Sequence, residues 1–163
     1  MRASASPDRG IPTVSRTPKQ PGAVNVPGDD ALRELCFSDS VFRQRYRGWT
    51  VLGRGTFATV VRTFSGDAAR DVAVKVFLNL EPEMVKRIRE EVRAAQAFAT
   101  PYMVQTYSLF DRGPITWFEL ELVEGPNLQQ EIDRLAAKGE SIPLPRASEI
   151  ALAVRHCLWQ ANR

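Results

Sequence analysis

The order of β-prone and helical segments is the feature that most constrains how this chain can fold. Three β-prone runs follow one another with short turns, and a long segment with apolar residues at helical spacing comes next. Two more β-prone runs and two shorter helical segments complete the order. Adjacent strands with short connections pair antiparallel, so the sequence predicts an α+β fold that opens with an antiparallel meander. The predicted strands cover residues 49–52, 59–64, 71–77, 103–110 and 115–123.

Three helices are predicted around and after these strands. The longest covers residues 81–99, where apolar side chains recur every three or four positions. A second helix begins at Asn127, which forms a capping-box pattern with Gln130, and it ends at Gly139. The last helix starts at Ala147. The apolar residues of the longest helix are Met84, Val85, Ile88, Val92, Ala95 and Phe98.

Charge and composition separate a tail from a folded part. Residues 1–28 hold four basic side chains, one acidic side chain and few large apolar residues, and their net charge is +3. Such a segment cannot offset its ordering entropy by burial, so we predict a disordered basic tail. Its Ser and Thr residues are either phosphate acceptors or, the preferred reading, plain solvated side chains. The remainder has 18 basic and 18 acidic residues and lacks the basic field of a nucleic-acid-binding domain.

The folded part divides into three regions. Residues 29–46 begin with the plausible cap Asp29-Asp30 and carry spaced Leu, Phe and Tyr residues, so a helical extension packed on the next domain is expected. Residues 47–123 hold the predicted strands and the long helix. Residues 124–163 hold the last two helices.

Cysteine usage and hydropathy give expectations about compartment. Cys36 and Cys157 are far apart and match no metal-ligand spacing, so reduced, buried or partly buried thiols are expected. No apolar run approaches the ~20 residues that span a bilayer. The N-terminus lacks the apolar core of a secretion signal. A cytoplasmic protein without a membrane segment is therefore expected.

A glycine-containing turn joins the first two predicted strands. Its sequence is Gly53-Arg54-Gly55-Thr56-Phe57-Ala58-Thr59-Val60. Glycine lets backbone amides approach phosphate oxygens that a Cβ would hold away, although most such pairs between strands are plain hairpins. No Gly-Lys-Ser/Thr follows, which excludes a Walker loop. A strand rather than a helix comes next, which argues against a dinucleotide fold.

A lysine lies inside the third β-prone run, Val72-Ala73-Val74-Lys75-Val76. Alternation places Ala73 and Lys75 on one face, where Ala73 leaves room for a flat ring and Lys75 can meet a phosphate. A solvent-facing edge lysine is the alternative. On the long helix, Glu91 falls on the apolar stripe, whereas Glu90 points about 100° away toward solvent. Because a buried lysine needs a partner, we predict a Lys75–Glu91 ion pair.

Together these features resemble the protein kinase family, whose ATP-binding N-lobe has a five-stranded antiparallel sheet and one long helix in this order. The family's glycine-rich loop, Val-Ala-x-Lys strand and helix glutamate match the residues above. Residues 120–125, Leu-Glu-Leu-Val-Glu-Gly, resemble the hinge, and Pro126-Asn127-Leu128 resembles the entry to the next helix. This hinge pattern is similar to that of bacterial-type serine/threonine kinases, while tyrosine specificity stays open. The likeness implies an N-lobe followed by two helices of an incomplete C-lobe.

The resemblance covers residues 46–163 and implies a site for ATP, with Mg²⁺ as metal and a protein as phosphate acceptor. Lys75 would hold the α- and β-phosphates, Glu91 would orient Lys75, and Leu120 would be the gatekeeper beside the pocket. The backbones of Glu121 and Val123 would bond adenine. The side chains that would sandwich the ring are Leu52, Val60, Ala73 and Leu128. The implied ATP-binding residues are Leu52, Gly53, Arg54, Gly55, Thr56, Phe57, Ala58, Val60, Ala73, Lys75, Leu120, Glu121 and Val123.

Two departures from the family pattern concern the loop and the helix. The third glycine of the loop is Ala58, which is tolerable for nucleotide binding. Ala95 and Thr106 stand where the family has larger apolar residues behind the helix. We hypothesise that the helix is therefore held less firmly and that the ion pair between Lys75 and Glu91 opens more easily.

The catalytic segments of a kinase do not occur in the 163 residues. There is no His-Arg-Asp segment and no Asp-Phe-Gly segment, so the base and the magnesium ligands are expected beyond Arg163. His156, in a predicted helix, and the turn Asp111-Arg112-Gly113 are no substitutes. Two interpretations stay open. The preferred one is part of a serine/threonine kinase, inactive by itself. The alternative is a kinase-derived interaction module that docks on a partner through an exposed apolar surface formed by Val154, Leu158 and Trp159.

Overall fold

The computed structural model of the protein describes residues 28–97 and 100–161. Two short helices, α1 (Asp29–Ser38) and α2 (Ser40–Arg45), precede the strands β1 (Tyr46–Arg54), β2 (Ala58–Ser65) and β3 (Arg70–Leu78). The long helix α3 (Pro82–Ala97) precedes β4 (Thr106–Arg112) and β5 (Ile115–Glu121), and two helices follow, α4 (Leu128–Ala136) and α5 (Leu144–Ala161). The predicted tail lies outside the described residues, apart from Gly28.

The five strands form one antiparallel sheet in the order β1-β2-β3-β5-β4. This arrangement confirms the predicted α+β class, with a five-stranded antiparallel sheet and one long helix. β3 is the central strand, because β2 pairs along one side of it and β5 along the other. The reading of Lys75 as a lysine on a sheet edge is therefore wrong.

Several boundaries differ from the prediction for local reasons. The extension predicted as one helix is two, because Asp39 adopts extended backbone and its side chain accepts a hydrogen bond from the Phe42 N–H (2.9 Å), which caps α2. The fourth strand begins at Thr106, after an irregular stretch. α5 begins before Pro145, since proline is tolerated in a first helical turn. The capping box of Asn127 and Gln130 at α4 is confirmed.

One face of the sheet, here called the outer face, is covered by α1 and α2. At its centre the Trp117 indole N–H donates to the Tyr46 hydroxyl (3.3 Å), which in turn donates to the Glu119 carboxylate (2.9 Å). The helical extension is thus part of the main core, as expected. Its fully or almost fully buried members are Leu32, Cys36, Phe42, Tyr46, Val61, Val72, Val74, Val76, Leu78, Ile115 and Trp117.

The opposite face, here called the inner face, carries Ala73, Lys75 and Phe77 of β3. The helix α3 packs on it through Ile88 and Val92. This second core is smaller than the outer one. None of the helices in the described part of the chain is long and apolar enough to cross a membrane.

Candidate nucleotide-binding site

The turn between β1 and β2 does not need its glycines for its own structure. It is closed by a hydrogen bond from the Gly55 N–H to the Ala58 carbonyl oxygen (2.8 Å). Neither Gly53 nor Gly55 has a positive φ. A Cβ added at Gly53 would meet no described atom within 4 Å, and one at Gly55 would meet the Ala58 oxygen at an ordinary 3.6 Å. The missing Cβ atoms leave space beside the backbone, which the plain-hairpin reading does not explain.

The register of the sheet aligns this turn with the central lysine. Gly53 lies opposite Val60, Val60 opposite Lys75, and Lys75 opposite Phe118. Opposed residues of antiparallel strands lie about 4.5–5.5 Å apart and point to the same face. Gly53, at the beginning of the turn, therefore lies in one row with Val60 and Lys75 across the inner face.

Some of the residues expected to contact adenine lie in the row next to that of Lys75, and others lie at exposed positions. Ala73 is buried and lies opposite Leu120, so the small side chain and the expected gatekeeper share the inner face. The Glu121 N–H donates to the Gln105 carbonyl oxygen (2.8 Å). Because this N–H is already paired, only the carbonyl oxygen of the Glu121 backbone is left for the expected contact with adenine. The remaining predicted contacts Leu52, Val123 and Leu128 are exposed.

The structure surrounds Lys75 with aromatic rings. The side chain is half-buried, and its Nζ lies 5.4 Å from the ring centroid of Phe77 and 5.7 Å from that of Phe118. Such cation–π contacts contribute about 0.5–2 kcal/mol, depending on desolvation. The Phe77 contact follows from strand alternation and could have been predicted. The Phe118 contact depends on the register of β3 with β5, for which the sequence carries no local signal.

The predicted ion pair between Lys75 and Glu91 is not formed in this structure. Glu91 is exposed, and within the described part of the chain no carboxylate lies within ion-pair distance of the Lys75 ammonium. The two side chains instead line a common cavity of about 340 Å³ between α3 and the sheet. The Glu91 carboxylate and the Lys75 ammonium thus border the same cavity without forming an ion pair.

Small side chains contribute to the cavity. Ala95 of α3 and Thr106 of β4 line it together with Lys75 and Glu91, and Phe57 of the glycine turn also lines it. Larger apolar groups at positions 95 and 106 would occupy part of this volume. That these two small side chains make the ion pair easier to open stays a prediction.

The glycine turn is tied to the helical extension by an ion pair that the sequence did not suggest. The Arg54 guanidinium contacts the Asp29 carboxylate at the start of α1. The sequence predicts only a helix cap at Asp29, and no local pattern links this residue to a turn 25 positions away. Position 54 is therefore involved in holding the turn against α1.

The remaining candidate groups lie outside this site. His156 is exposed on α5, with its ring 5.6 Å from the Tyr102 ring, in line with a helix-surface residue. Asp111 accepts from the Thr116 hydroxyl (3.2 Å) and pairs with Arg89 (3.6 Å). Within residues 28–97 and 100–161, no group of three or more His, Cys, Asp or Glu residues can hold a metal ion. Both cysteines are free; Cys36 is buried and Cys157 half-buried, which confirms the expectation for the thiols.

Curated proteins with sequence similarity to the chain are protein kinases. A mitogen-activated protein kinase kinase, SIPKK, from Nicotiana tabacum is 28% identical over 152 residues, which are 92% of this chain and 39% of that protein. The CBL-interacting serine/threonine-protein kinase 24 of Arabidopsis thaliana is 29% identical over 119 residues, 69% of this chain and 26% of the kinase. The serine/threonine-protein kinase PLK4 of Aedes aegypti is 28% identical over 99 residues, 59% of this chain and 13% of the kinase.

The chain spans about two fifths or less of the length of these relatives. No protein-family model matches the chain. The similarities nevertheless support a protein-kinase-like region, and the five-stranded antiparallel sheet with its long helix is consistent with the N-lobe of a protein kinase.

Proposed function

We propose that this chain is the ATP-binding part of a serine/threonine protein kinase, which in its complete form transfers phosphate from Mg-ATP to protein hydroxyls. The observation that carries the proposal is the row formed by Gly53, Val60 and Lys75 on the inner face. The turn carries glycines that its own conformation does not require. The Lys75 ammonium is half-buried near two aromatic rings. Open backbone and a fixed positive charge are what a triphosphate requires.

The residues take the following roles in this proposal. The turn from Gly53 to Val60 covers the phosphates, and Lys75 contacts the α- and β-phosphates. Ala73 and Leu120 border the adenine ring, which bonds to the backbone at Glu121 and Val123. Glu91 orients Lys75 once the two side chains come together, because they line one cavity without forming an ion pair in the structure.

ATP brings its own requirement for a divalent metal, and the described residues do not meet it. They contain no cluster of carboxylate or imidazole ligands for Mg²⁺, and we assign no magnesium ligand to this chain. The His-Arg-Asp and Asp-Phe-Gly segments are absent from the sequence. Loss of a general base alone costs ~10²–10⁴ in rate, so residues 1–163 by themselves are proposed to be inactive. Phosphate transfer by this chain that disappears in Lys75→Met would contradict this.

Nucleotide binding provides the direct test. Titration of a fluorescent ATP analogue should give saturable binding to the wild-type chain and binding at least about tenfold weaker to Lys75→Met, because a charge-assisted hydrogen bond contributes ~1.5–3 kcal/mol. Lys86→Met is the matched control, since Lys86 is exposed on α3 and does not line the cavity. Circular dichroism confirms that each variant is folded. Equal affinity in both variants, or no binding by the folded wild type, would reject the site.

A kinase-derived interaction module is the second candidate, and one observation favours it. Val154, Leu158 and Trp159 on α5 are all more than half exposed, and exposed apolar patches mark interaction sites. Nucleotide binding separates the two candidates. A module that serves only to dock does not need the alignment of Lys75 with the glycine turn, and it would not bind the ATP analogue.

A further inference from the structure

Arg54 and the glycine before it point to opposite faces of the sheet. Gly53 lies opposite Val60 on the inner face, whereas Arg54 lies opposite Thr59 in the next pair. Neighbouring residues of a strand alternate between the two faces. The Arg54 side chain therefore starts on the outer face, which α1 and α2 cover, and its guanidinium contacts the Asp29 carboxylate at the start of α1.

The glycine turn packs weakly against the rest of the molecule. Phe57 is 41% exposed, and a Cβ atom on Gly53 would meet no described atom within 4 Å. An irregularity in the pairing of β1 with β2 lies between Val51 and Gly53, and such bulges locally disrupt the ladder. Segments with few apolar contacts open easily, so a contact between this turn and a well-packed element restrains it.

The helix on the other side of the ion pair is well anchored. Leu32 and Cys36 of α1 are 1% and 0% exposed and belong to the main core of the outer face. The Leu32 N–H donates to the Gly28 carbonyl oxygen (3.0 Å), which closes the helical turn that carries Asp29. Because close packing fixes α1 on the sheet, the Asp29 carboxylate projects from a backbone of defined position.

We propose that Asp29 is a positioning residue for phosphate binding. Through Arg54 it fixes the glycine turn in the position from which the backbone amides of the turn contact the phosphates of ATP. The inference rests on the proposed function, because it concerns the same turn. It gives the helical extension a part in nucleotide binding, although the extension covers the opposite face of the sheet. The Arg54 side chain serves this ion pair rather than a phosphate contact.

Two effects of the substitution Asp29→Asn on the affinity for ATP have opposite signs. Removal of a carboxylate near the turn lowers the local negative charge, which by itself strengthens the binding of an anion. Loss of the ion pair frees the turn, and the ordering of a free turn weakens binding. A positioning role therefore predicts weaker binding where charge alone predicts tighter binding. Adenosine has no phosphates, so its affinity should not change.

The test is displacement of the fluorescent ATP analogue from the whole 163-residue chain by ATP and by adenosine. The side chains of Arg54 and Asp29 are 36% and 54% exposed, so Asp29→Asn should weaken ATP binding by about two- to fivefold, the effect of one exposed ion pair. The affinity for adenosine should stay unchanged. Asp29→Glu keeps the carboxylate and should retain the wild-type affinity for ATP.

Asp30→Asn is the matched control. Asp30 is exposed in the same helical turn, and within the described part of the chain it forms no ion pair. The substitution removes the same charge from the N-terminus of α1, so it reproduces any effect on the helix itself. It should not weaken ATP binding.

Two further measurements link the effect to the ion pair. In an Arg54→Gln background, Asp29→Asn should change the affinity for ATP by less than about 1.5-fold, because two residues that act through one contact are not additive. Without nucleotide, hydrogen exchange of the Gly55 amide, which closes the turn, should be faster in Asp29→Asn than in the wild type or in Asp30→Asn.

Several outcomes would overturn the inference. Unchanged or tighter ATP binding by Asp29→Asn, beside a wild type that binds ATP, would reject the positioning role and leave the proposed function intact. Equal weakening by Asp29→Asn and Asp30→Asn would assign the effect to α1 as a whole. Unchanged exchange of the Gly55 amide in Asp29→Asn would show that the ion pair does not restrain the turn. Failure of the folded wild type to bind ATP would reject the proposed function and the inference with it.

Discussion

The two faces of the sheet differ in how closely their side chains are packed. On the outer face, α1 and α2 bury a continuous cluster of apolar side chains and a polar network in which Glu119 is 4% exposed. On the inner face, α3 covers a smaller core and leaves a cavity of about 340 Å³ that is lined by Lys75 and Glu91. Dense packing stabilises a fold, whereas open volume with charged groups can receive a ligand. The comparison indicates that packing stabilises the fold mainly on the outer face, whereas the inner face keeps the open volume where we propose that a nucleotide binds.

The largest effect is expected from an aromatic ring of the outer face. Phe42 is fully buried against Tyr46 and Trp117, so Phe42→Ala should lower the free energy of unfolding by about 3–5 kcal/mol. Phe118→Ala on the inner face should cost less than half as much, because Phe118 is half-buried beside the cavity. Urea unfolding followed by circular dichroism measures both. An equal loss of unfolding free energy in both variants would contradict the view that the outer face contributes more to stability.

A smaller effect is expected from the polar network of the outer face. Tyr46→Phe removes the hydroxyl that donates to Glu119 and accepts from Trp117. The Glu119 carboxylate would retain the Ser65 hydroxyl at 3.4 Å as a donor. Leaving buried polar groups with fewer partners costs about 1–3 kcal/mol. Tyr102→Phe, at an exposed position, should leave urea unfolding unchanged, and a similar loss in both variants would argue against a role for the network.

Alkaline pH should destabilise the outer face through its buried acids. Burial, and to a lesser extent the charge of Asp39, raises the pKa of Cys36 from 9.0 to about 12, and burial followed by the charge of Glu119 raises the pKa of Tyr46. The folded pKa of Cys36 exceeds the unfolded one, so its contribution is complete below pH 9 and is lost as the pH rises toward 12. The slope is about 1.4 kcal/mol per pH unit for one group.

Unfolding curves between pH 8 and pH 11 test this dependence, with the slope rather than the absolute stability as the readout. Cys36→Ala should show a shallower fall of the unfolding free energy with pH above the unfolded thiol pKa of 9.0. Leu32→Ala removes a buried apolar group of the same cluster without removing an acid, and it should keep the wild-type slope. A Cys36→Ala slope equal to that of the wild type would contradict the assignment.

The smallest effect is expected from filling the inner cavity. Ala95 lines it, so Ala95→Leu places added apolar atoms in open volume and should raise the free energy of unfolding by about 0.5–1 kcal/mol. Ala94→Leu is the control, because Ala94 is exposed on the same helix. Thermal unfolding of both variants gives the comparison. A loss of stability in Ala95→Leu alone would show that α3 lies closer to the sheet in solution.

Local patterns in the sequence were sufficient for much of the fold. The five strands, the long helix and the capping box of Asn127 and Gln130 follow from periodicity and turn chemistry, which act over a few residues. The shared face of Ala73 and Lys75 follows from strand alternation. Each of these features depends on neighbours in the chain, so no distant segment was needed to predict them.

The tertiary structure decided what the local patterns left open. Helical periodicity predicts that Glu91 lies on the packing face of α3, but Glu91 is exposed beside a cavity that side chains from separate strands, including Phe118 and Thr106, also line. The ion pair between Asp29 and Arg54 likewise joins segments that no short-range pattern connects. Helical periodicity determines the direction in which a residue points, whereas packing between elements determines what it meets.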